Sequence, residues 1–297
     1  MKSIPALILF HNLKQVIMKS ENKKVWFITG ASKGFGLILV KQLLEQGHSV
    51  AATTRNKSDL VKEIPTNSQF LALEMDLVNE KSVQNAISET VKTFGRIDTI
   101  VNNAGYGLLG ALEELSDAEA RQNFDVNVFG SLNVIRQALP YLREQKSGHI
   151  FNFSSIGGYV GDFPGFGIYC STKFAVIGFT EGLAIETKPF GIKVTAVLPG
   201  YFRTNFLNPD SLSTPKNHIE DYNEVRASQK MHQDEINQNQ PGDPEKGVAE
   251  IIKIAEQENP PLHLFLGNDA YEMAKSKISA METELEEWKS VTVSTGF

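Results

Sequence analysis

A chain of 297 residues is near the upper limit for one hydrophobic core, and its 41% hydrophobic and 22% charged residues are typical of a globular protein. The formal net charge of −6 argues against nucleic acid or an anionic membrane as the main partner, because either would require a basic surface. The single cysteine, Cys170, excludes an internal disulfide and favours a cytoplasmic location, and the scattered histidines predict no metal site.

Residues 1–23 are predicted to be a poorly ordered N-terminal extension that precedes one domain over residues 24–297. The apolar run Ile4–Phe10 is at the short limit for a signal peptide, and no small-residue cleavage site follows it. It is also too short to span a bilayer. Met18 lies just before the first predicted strand, so translation from Met18 is the hypothesis and translation from Met1 the alternative.

A glycine-rich turn joins the first predicted strand, Val25–Thr29, to an amphipathic helix, Leu37–Gln46. This order is the context of a dinucleotide site, since a helix N-terminus offers free N–H groups to a pyrophosphate. The spacing is Gly-x-x-x-Gly-x-Gly, and no Gly-Lys-Ser/Thr closes it as in a Walker A loop. The candidate cofactor residues of the turn are Gly30, Ser32, Lys33, Gly34, Phe35 and Gly36.

The end of the second predicted strand, Ser49–Thr53, bears on the choice of cofactor. An acidic side chain at this point would bind the ribose hydroxyls and repel a 2′-phosphate. The chain has Arg55 there, and Lys33 in the glycine turn, and cations pair well with phosphate. We therefore predict NADP(H) as the preferred cofactor, with NAD(H) as the alternative. For Arg55 the alternative role is a solvated surface charge.

Strands alternating with helices continue to the end of the chain. The further strands are predicted at Phe70–Leu73, Ile97–Val101, Gly148–Phe153, Ile192–Leu198 and Leu262–Leu266. This pattern predicts an α/β fold, a Rossmann-type doubly wound parallel seven-stranded sheet with helices on both faces. A long helix is predicted over Arg121–Leu142 and a final surface helix over about 270–289. The polar segment 201–241 is predicted to be a mobile helical lid over the substrate.

Tyr169 and Lys173 lie one helical turn apart on the same face of a predicted helix. A phenol with a pKa near ~10 is a poor acid or base at neutral pH, and a neighbouring ammonium lowers that pKa. Ser154 and Ser155 end the preceding strand, where an α/β enzyme presents groups to a ligand. We therefore expect a serine, Tyr169 and Lys173 to surround one reacting oxygen.

Five motifs follow one another along the chain. They are the glycine-rich turn, Asn102-Asn103-Ala104-Gly105, the strand-end serine, the tyrosine–lysine pair and Pro199-Gly200. In this combination residues 24–270 resemble the short-chain dehydrogenase/reductase family, and within it the 17β-hydroxysteroid dehydrogenase-like members. The resemblance implies an oxidoreductase that transfers a hydride between NADP(H) and a carbonyl or secondary alcohol.

The resemblance also implies the roles of individual residues. The catalytic set is Asn127, Ser155, Tyr169 and Lys173, with Ser154 as the alternative serine. Asn127 would kink its helix and hold a water linked to the lysine, a satisfied core amide being the alternative. Asp76 would contact the adenine, with capping of the next helix as its alternative. The other implied cofactor residues are Leu77, Asn103, Ala104, Gly105, Tyr169, Lys173, Pro199, Gly200 and Thr204.

Aromatic side chains predict the wall of the substrate cleft, with packing beneath the lid as the alternative. They are Tyr159, Phe163, Phe166, Tyr201, Phe202 and Phe206. They suggest a medium-sized apolar carbonyl substrate such as a steroid, a retinoid or an aromatic ketone. Two rival functions stay open, a non-enzymatic NADP-binding redox sensor and a lyase or epimerase on the same fold. The resemblance further implies a homodimer or homotetramer formed through the long helices around Asn127 and Lys173.

Overall fold

The structure is a computed structural model that describes residues 23–297. The expectations for residues 1–22, including translation from Met18, lie outside the described residues. The strands are β1 (Val25–Ile28), β2 (Ser49–Thr54), β3 (Phe70–Glu74), β4 (Thr99–Asn102), β5 (Gly107–Leu108), β6 (Gly148–Phe153), β7 (Ile192–Pro199), β8 (Leu212–Ser213) and β9 (His263–Leu266). All except β5 and β8 form one parallel sheet in the order β3-β2-β1-β4-β6-β7-β9.

Helices cover both faces of this sheet. They are α1 (Gly34–Glu45), α2 (Lys57–Glu63), α3 (Glu80–Phe94), α4 (Asp117–Phe124), α5 (Gly130–Gln145), α6 (Gly167–Thr187), α7 (Asn223–Lys230), α8 (Pro244–Ala255), α9 (Asn268–Glu287) and α10 (Lys289–Val293). One core cluster contains apolar side chains of α1 and α8, such as Leu39 and Ile251. A second cluster contains those of α3 and α5, such as Ile87 and Val134. The predicted fold, a doubly wound parallel sheet of seven strands, is confirmed.

The strand order places a ligand crevice beside β1. The chain moves outward from β1 to β3 and then returns to β4 on the other side of β1. Ligands of open α/β sheets bind at such a reversal, beyond the carboxyl ends of the strands. The glycine turn after β1 and residues 103–105 after β4 meet at this point. The bounds of the seven main strands lie within two residues of the predicted ones, and β4 begins at Thr99 rather than Ile97.

The predicted long helix is confirmed, although it starts earlier and changes its winding. It begins with a capping box in which Ser116 and Glu119 satisfy each other's backbone N–H groups. α4 then passes into α5 through the π-helical turn Asp125–Phe129, which contains Asn127. Such wide turns inside a helix are frequent at functional sites.

Residues 201–241 contain short elements that are anchored to the body of the protein. β8 pairs in parallel with β5, which follows β4. The carboxylate of Glu114 accepts hydrogen bonds from the N–H groups of Ala111 and Ile219 and from the guanidinium of Arg226 in α7, at 2.7, 2.9 and 2.5 Å. Among residues 23–297, no helix is both long and apolar enough to cross a membrane.

Candidate active site

The glycine turn packs tightly against the segment after β4. Gly30 has a φ of +64°, and a Cβ on it would lie 2.7 Å from the Cα of Ala104. A Cβ on Gly36 would lie 2.5 Å from the carbonyl oxygen of Gly30. The side chain of Asn103 donates to that same carbonyl at 2.9 Å. Only glycine fits these two positions, and the turn is held in one conformation.

A cavity of about 540 Å³ lies at the glycine turn. The predicted cofactor residues that line it are Gly30, Ser32, Lys33, Gly34, Phe35, Arg55, Asp76, Leu77, Asn103, Ala104, Gly105 and Thr204. Gly36 lies beneath the turn, where it packs against backbone instead. The N-terminus of α1 and the open glycine backbone give this cavity the donors that a pyrophosphate requires.

The two cations predicted to recognise a 2′-phosphate differ in their surroundings. Arg55 is exposed just after β2, and residues 54–58 carry no carboxylate. Lys33 instead forms an ion pair with Asp210, which also lines the cavity. The hydrogen bond from Lys33 lowers the pKa of the Asp210 carboxyl. A phosphate at Lys33 would therefore compete with a carboxylate.

The alternative interpretation of Asp76 as a helix cap is wrong. The cap of α3 is Asn79, whose side chain accepts the N–H of Ser82 at 3.0 Å. Asp76 accepts the N–H of Val78 at 3.1 Å, which shapes the turn before the helix. Its side chain thus belongs to the wall of the cavity.

A second cavity, of about 180 Å³, adjoins the first. Phe35, Asn103, Gly105, Thr204 and Phe206 line both. The second cavity is lined by further predicted site residues, namely Ser155, Tyr169, Lys173, Pro199 and Gly200. The structure therefore brings the tyrosine–lysine pair, the strand-end serine and the Pro-Gly segment together beside the glycine turn.

The two serines after β6 face different groups. The hydroxyl of Ser154 is buried and donates to the backbone carbonyl of Lys173 at 2.8 Å. The hydroxyl of Ser155 accepts the N–H of Gly157 at 3.1 Å and lies beside the phenol of Tyr169. This geometry favours Ser155 as the serine that contacts a ligand.

Tyr169 and Lys173 are both buried in the first turns of α6. The ammonium lies 5.8 Å from the centroid of the tyrosine ring and donates to the carbonyl of Phe153 at 2.9 Å. Burial raises the pKa of Tyr169, and the hydrogen bond with Ser155 partly opposes this. Burial lowers the pKa of Lys173 to about 8.

In the protein without a bound ligand, Lys173 does not lower the pKa of the Tyr169 phenol, contrary to the expectation from the sequence. The lysine loses its charge near pH 8, well before the buried phenol ionises. At neutral pH the phenol of Tyr169 keeps its proton, so it can act as an acid. An ammonium has three N–H donors. Within residues 23–297, the carbonyl of Phe153 is the hydrogen-bond partner found for Lys173, and two donors remain for a ligand.

Asn127 connects the π-helical turn to α6. Its side-chain oxygen accepts the N–H of Tyr106 at 3.0 Å, and its nitrogen donates to the hydroxyl of Thr172 at 3.1 Å. A Cβ on Gly105 would lie 3.0 Å from the Asn127 oxygen and 3.4 Å from the Lys173 nitrogen. Asn127 is thus a satisfied amide that also lies beside the lysine.

Most of the predicted aromatic wall is present in the second cavity. Phe163, Phe166, Tyr201, Phe202 and Phe206 line it. The prediction for Tyr159 was wrong, because this ring follows the 3₁₀ turn Ile156–Gly158 and packs edge-on against Phe265, 5.4 Å away.

The sequence analysis did not predict three side chains that line the second cavity or hold its wall in place. His232 and Gln240, both buried, line the cavity from the segment 201–241. They lie in a polar stretch without any periodic pattern that would single them out. Asp269 accepts the N–H of Tyr201 at 2.6 Å and so fixes the Pro-Gly segment. The feature that could have identified Asp269 from the sequence is its position in the first turn of a helix, just after a strand.

Cys170 also lines this cavity, and burial raises the pKa of its thiol to about 11. The thiol is therefore protonated at neutral pH. In the part of the chain that the structure describes, no group of three or more His, Cys, Asp or Glu side chains is placed to hold a metal ion.

Comparison with known proteins gives consistent matches. Residues 24–213 match the short chain dehydrogenase family. A 3-ketodihydrosphingosine reductase from Bacteroides thetaiotaomicron is 38% identical over 246 residues, 82% of this chain and 88% of the relative. A short-chain dehydrogenase from Streptomyces avermitilis has a crystal structure with a TM-score of 0.84 and 36% identity, covering 93% of this chain and 100% of that one. A short chain dehydrogenase from Burkholderia cenocepacia, solved with NADP, has a TM-score of 0.69 and 26% identity, covering 89% and 97%.

These relatives support an enzyme over a non-enzymatic redox sensor, and the lining of the larger cavity fits a nicotinamide dinucleotide. The chain belongs to the short-chain dehydrogenase family and is an oxidoreductase that acts on CH–OH or C=O groups.

Proposed function

We propose that the protein uses NADPH to reduce the carbonyl group of a medium-sized, largely apolar compound, or oxidises the corresponding secondary alcohol with NADP⁺. One observation carries this proposal. Ser155, Tyr169 and Lys173 converge on a cavity with aromatic walls that shares lining residues with the cavity at the glycine turn.

Each of the three side chains has a separate role in the reducing direction. A bound nicotinamide supplies the hydride to the carbonyl carbon. Ser155 donates a hydrogen bond to the carbonyl oxygen, and Tyr169 transfers its proton to that oxygen. The two remaining N–H donors of Lys173 bind the nicotinamide ribose. This contact stabilises the ammonium form of Lys173, which burial disfavours, and prepares the phenol for proton transfer. Asn127 holds a water that links Lys173 to solvent.

The remaining proposed cofactor contacts follow the lining of the two cavities. Pyrophosphate binds the turn residues Gly30, Ser32, Gly34 and Phe35, shaped by Gly36. Asp76 and Leu77 contact the adenine, and the segment Asn103–Gly105 contacts the adenosine ribose. Pro199, Gly200 and Thr204 hold the carboxamide end of the nicotinamide.

The preference for NADPH rests on Arg55 and Lys33. An exposed guanidinium that forms no ion pair within residues 23–297 suits a 2′-phosphate. Lys33 would exchange its present partner, Asp210, for that phosphate, since a dianionic phosphate binds an ammonium more strongly than one carboxylate does. NAD(H) remains the alternative cofactor.

The substrate is proposed to be an apolar keto compound enclosed by the segment 201–241 acting as a lid. The Bacteroides relative is named for the reduction of a keto compound, which supports this chemistry. The aromatic lining supports the likeness to 17β-hydroxysteroid dehydrogenase-like enzymes and the candidates steroid, retinoid and aromatic ketone. Residues 24–297 are proposed to work as a single domain.

A homodimer or homotetramer through the long helices is also proposed. Three large apolar side chains on these helices are exposed, namely Phe129 at 52%, Phe174 at 44% and Ile185 at 77%. Light scattering of wild type and of Phe174→Ser would test this assembly, and a wild-type monomer would contradict it. The buried free thiol of Cys170 fits the reducing cytoplasm proposed as its location.

A ketone panel assayed with NADPH and NADH tests the function. We expect faster oxidation of NADPH with aryl alkyl or steroid ketones. We also expect Ser155→Ala to lower kcat/KM by about 100-fold, the effect of removing one oxyanion donor. Ser171→Ala, on the exposed face of α6, is the matched control. Absence of turnover with every ketone, or full activity of Ser155→Ala, would contradict the proposal.

A further inference from the structure

A second polar pair lies in the wall of the substrate cavity, apart from Ser155 and Tyr169. The hydroxyl of Tyr201 lies 2.8 Å from Nε2 of His232, and both residues line the cavity. Tyr201 is half-buried and His232 almost fully buried. Asp269 holds the backbone of Tyr201 in place. Tyr201 lines the same cavity as Tyr169.

The surroundings of His232 fix the direction of its hydrogen bond with Tyr201. Nδ1 of the ring lies 2.7 Å from the carbonyl oxygen of Ser228, which can only accept, so Nδ1 carries a hydrogen. The hydroxyl of Ser228 is more distant from Nδ1, at 3.4 Å. Burial lowers the pKa of His232, so the ring is neutral and Nε2 has a lone pair. Tyr201 therefore donates its single proton to His232.

This arrangement leaves the Tyr201 oxygen as an acceptor. Its proton is committed to His232, and its remaining lone pairs can receive a hydrogen bond only from a donor. The aromatic side chains Phe163, Phe166 and Phe206 of this cavity offer no acceptor, whereas the buried side-chain oxygen of Gln240, which also lines it, has no hydrogen-bond partner among residues 23–297. A substrate with a hydroxyl or amino group near its carbonyl would donate to the Tyr201 oxygen, whereas a purely apolar substrate would leave the lone pairs of that oxygen without a donor.

We propose that Tyr201, oriented by His232, is a specificity-determining acceptor for a hydroxyl or amino group of the substrate, which is accordingly an apolar ketone bearing a hydrogen-bond donor. This proposal rests on the proposed function and narrows it to a class of substrate. Tyr201 binds the substrate directly, and His232 is a positioning residue that acts through Tyr201.

The test compares three forms of each ketone that the panel finds to be a substrate. They are the parent, a derivative with a hydroxyl on the chain, and the methyl ether of that derivative, which can only accept. Wild type is expected to prefer the hydroxy ketone over the parent. In Tyr201→Phe the ratio of kcat/KM between those two should fall by about tenfold, the loss of one good hydrogen bond. Tyr159→Phe, outside the cavity, is the control that keeps the wild-type ratio.

His232→Leu separates the orienting role from simple packing. Without Nε2 the Tyr201 proton is free to turn toward the substrate, so the variant should gain activity on the methyl ether relative to the hydroxy ketone. A merely structural role of His232 would lower both rates in parallel. Equal use of parent and hydroxy ketone by wild type, or an unchanged ratio in Tyr201→Phe, would overturn the proposal while leaving the proposed function intact. Absence of turnover on every ketone would overturn both.

Discussion

Replacing Lys173 with methionine is expected to stabilise the protein while it abolishes activity. The lysine is 5% exposed, and burial lowers the pKa of its ammonium from 10.5 to about 8. A difference of that size corresponds to about 3 kcal/mol of destabilisation when the lysine is charged. The methionine variant also lacks the hydrogen bond from Lys173 to the carbonyl of Phe153. This loss cancels about 1 kcal/mol of the stabilisation. The net gain at neutral pH is about 2 kcal/mol in the free energy of unfolding.

The sign of the pH dependence follows from the direction of the shift. Because the folded pKa is below the unfolded one, the charged lysine destabilises the fold at every pH below about 8. The penalty shrinks as the pH rises toward 10.5, where the unfolded chain also loses the proton. The advantage of Lys173→Met should therefore fall by about 2 kcal/mol between pH ~7 and pH ~9.5.

Urea unfolding of the cofactor-free protein at these two pH values measures the effect. Lys188→Met, at the exposed end of α6, is the matched control and should change the free energy of unfolding by less than about 0.5 kcal/mol. A variant Lys173→Met that is no more stable than wild type at neutral pH would refute the reasoning. A gain that does not depend on pH would refute it as well.

Three further substitutions test other parts of the account. Gly36→Ala places a Cβ 2.5 Å from the carbonyl oxygen of Gly30, so the affinity for NADPH, measured by calorimetry, should fall at least ~10-fold. An affinity equal to that of wild type would contradict the tight packing of the turn. Arg55→Glu should raise the KM for NADPH more than ~10-fold without raising the KM for NADH. Equal increases in both KM values would contradict a contact between Arg55 and the 2′-phosphate. Glu114→Gln should cost about 3 kcal/mol and speed proteolysis within 201–241, since it removes the carboxylate with which the Arg226 guanidinium pairs.

Glu114 also predicts a pH effect of definite sign. Burial alone would raise its pKa, but the N–H groups of Ile219 and Ala111 and the guanidinium of Arg226 together hold it below the usual value. Its contribution to stability is therefore present at neutral pH and lost as the pH falls through the lowered pKa. Wild type should lose this anchor in acid, whereas urea unfolding of Glu114→Gln should not show that step.

The sheet was predictable because each strand carries its signal locally. Buried parallel strands are continuous apolar runs, and the glycine turn has a fixed spacing beside β1. The pairing of β5 with β8 was not predictable, because it joins two pairs of residues about a hundred positions apart without any periodic pattern. The same holds for Lys33 and Asp210, an ion pair between the turn and a distant loop.

The limits of prediction at the site come from side-chain direction. The sequence identified Ser154 and Ser155 as neighbours, and only the packing of α6 shows that the Ser154 hydroxyl donates to the backbone of Lys173 while that of Ser155 lies beside Tyr169. Tyr159 and Tyr201 were equally aromatic in sequence, yet one packs beneath α9 and the other lines the cavity. His232 gave no signal, because its role depends on a tyrosine 31 residues away.

Single-turnover reduction of a ketone by Tyr169→Phe measures most directly whether this phenol delivers the proton. The substitution removes one oxygen and leaves the hydrogen bond between Lys173 and Phe153 untouched. We predict an NADPH affinity within about twofold of wild type and a rate of reduction lower by about 10³-fold or more, the range for loss of a general acid. A variant that binds NADPH normally and reduces the ketone at the wild-type rate would contradict the assignment.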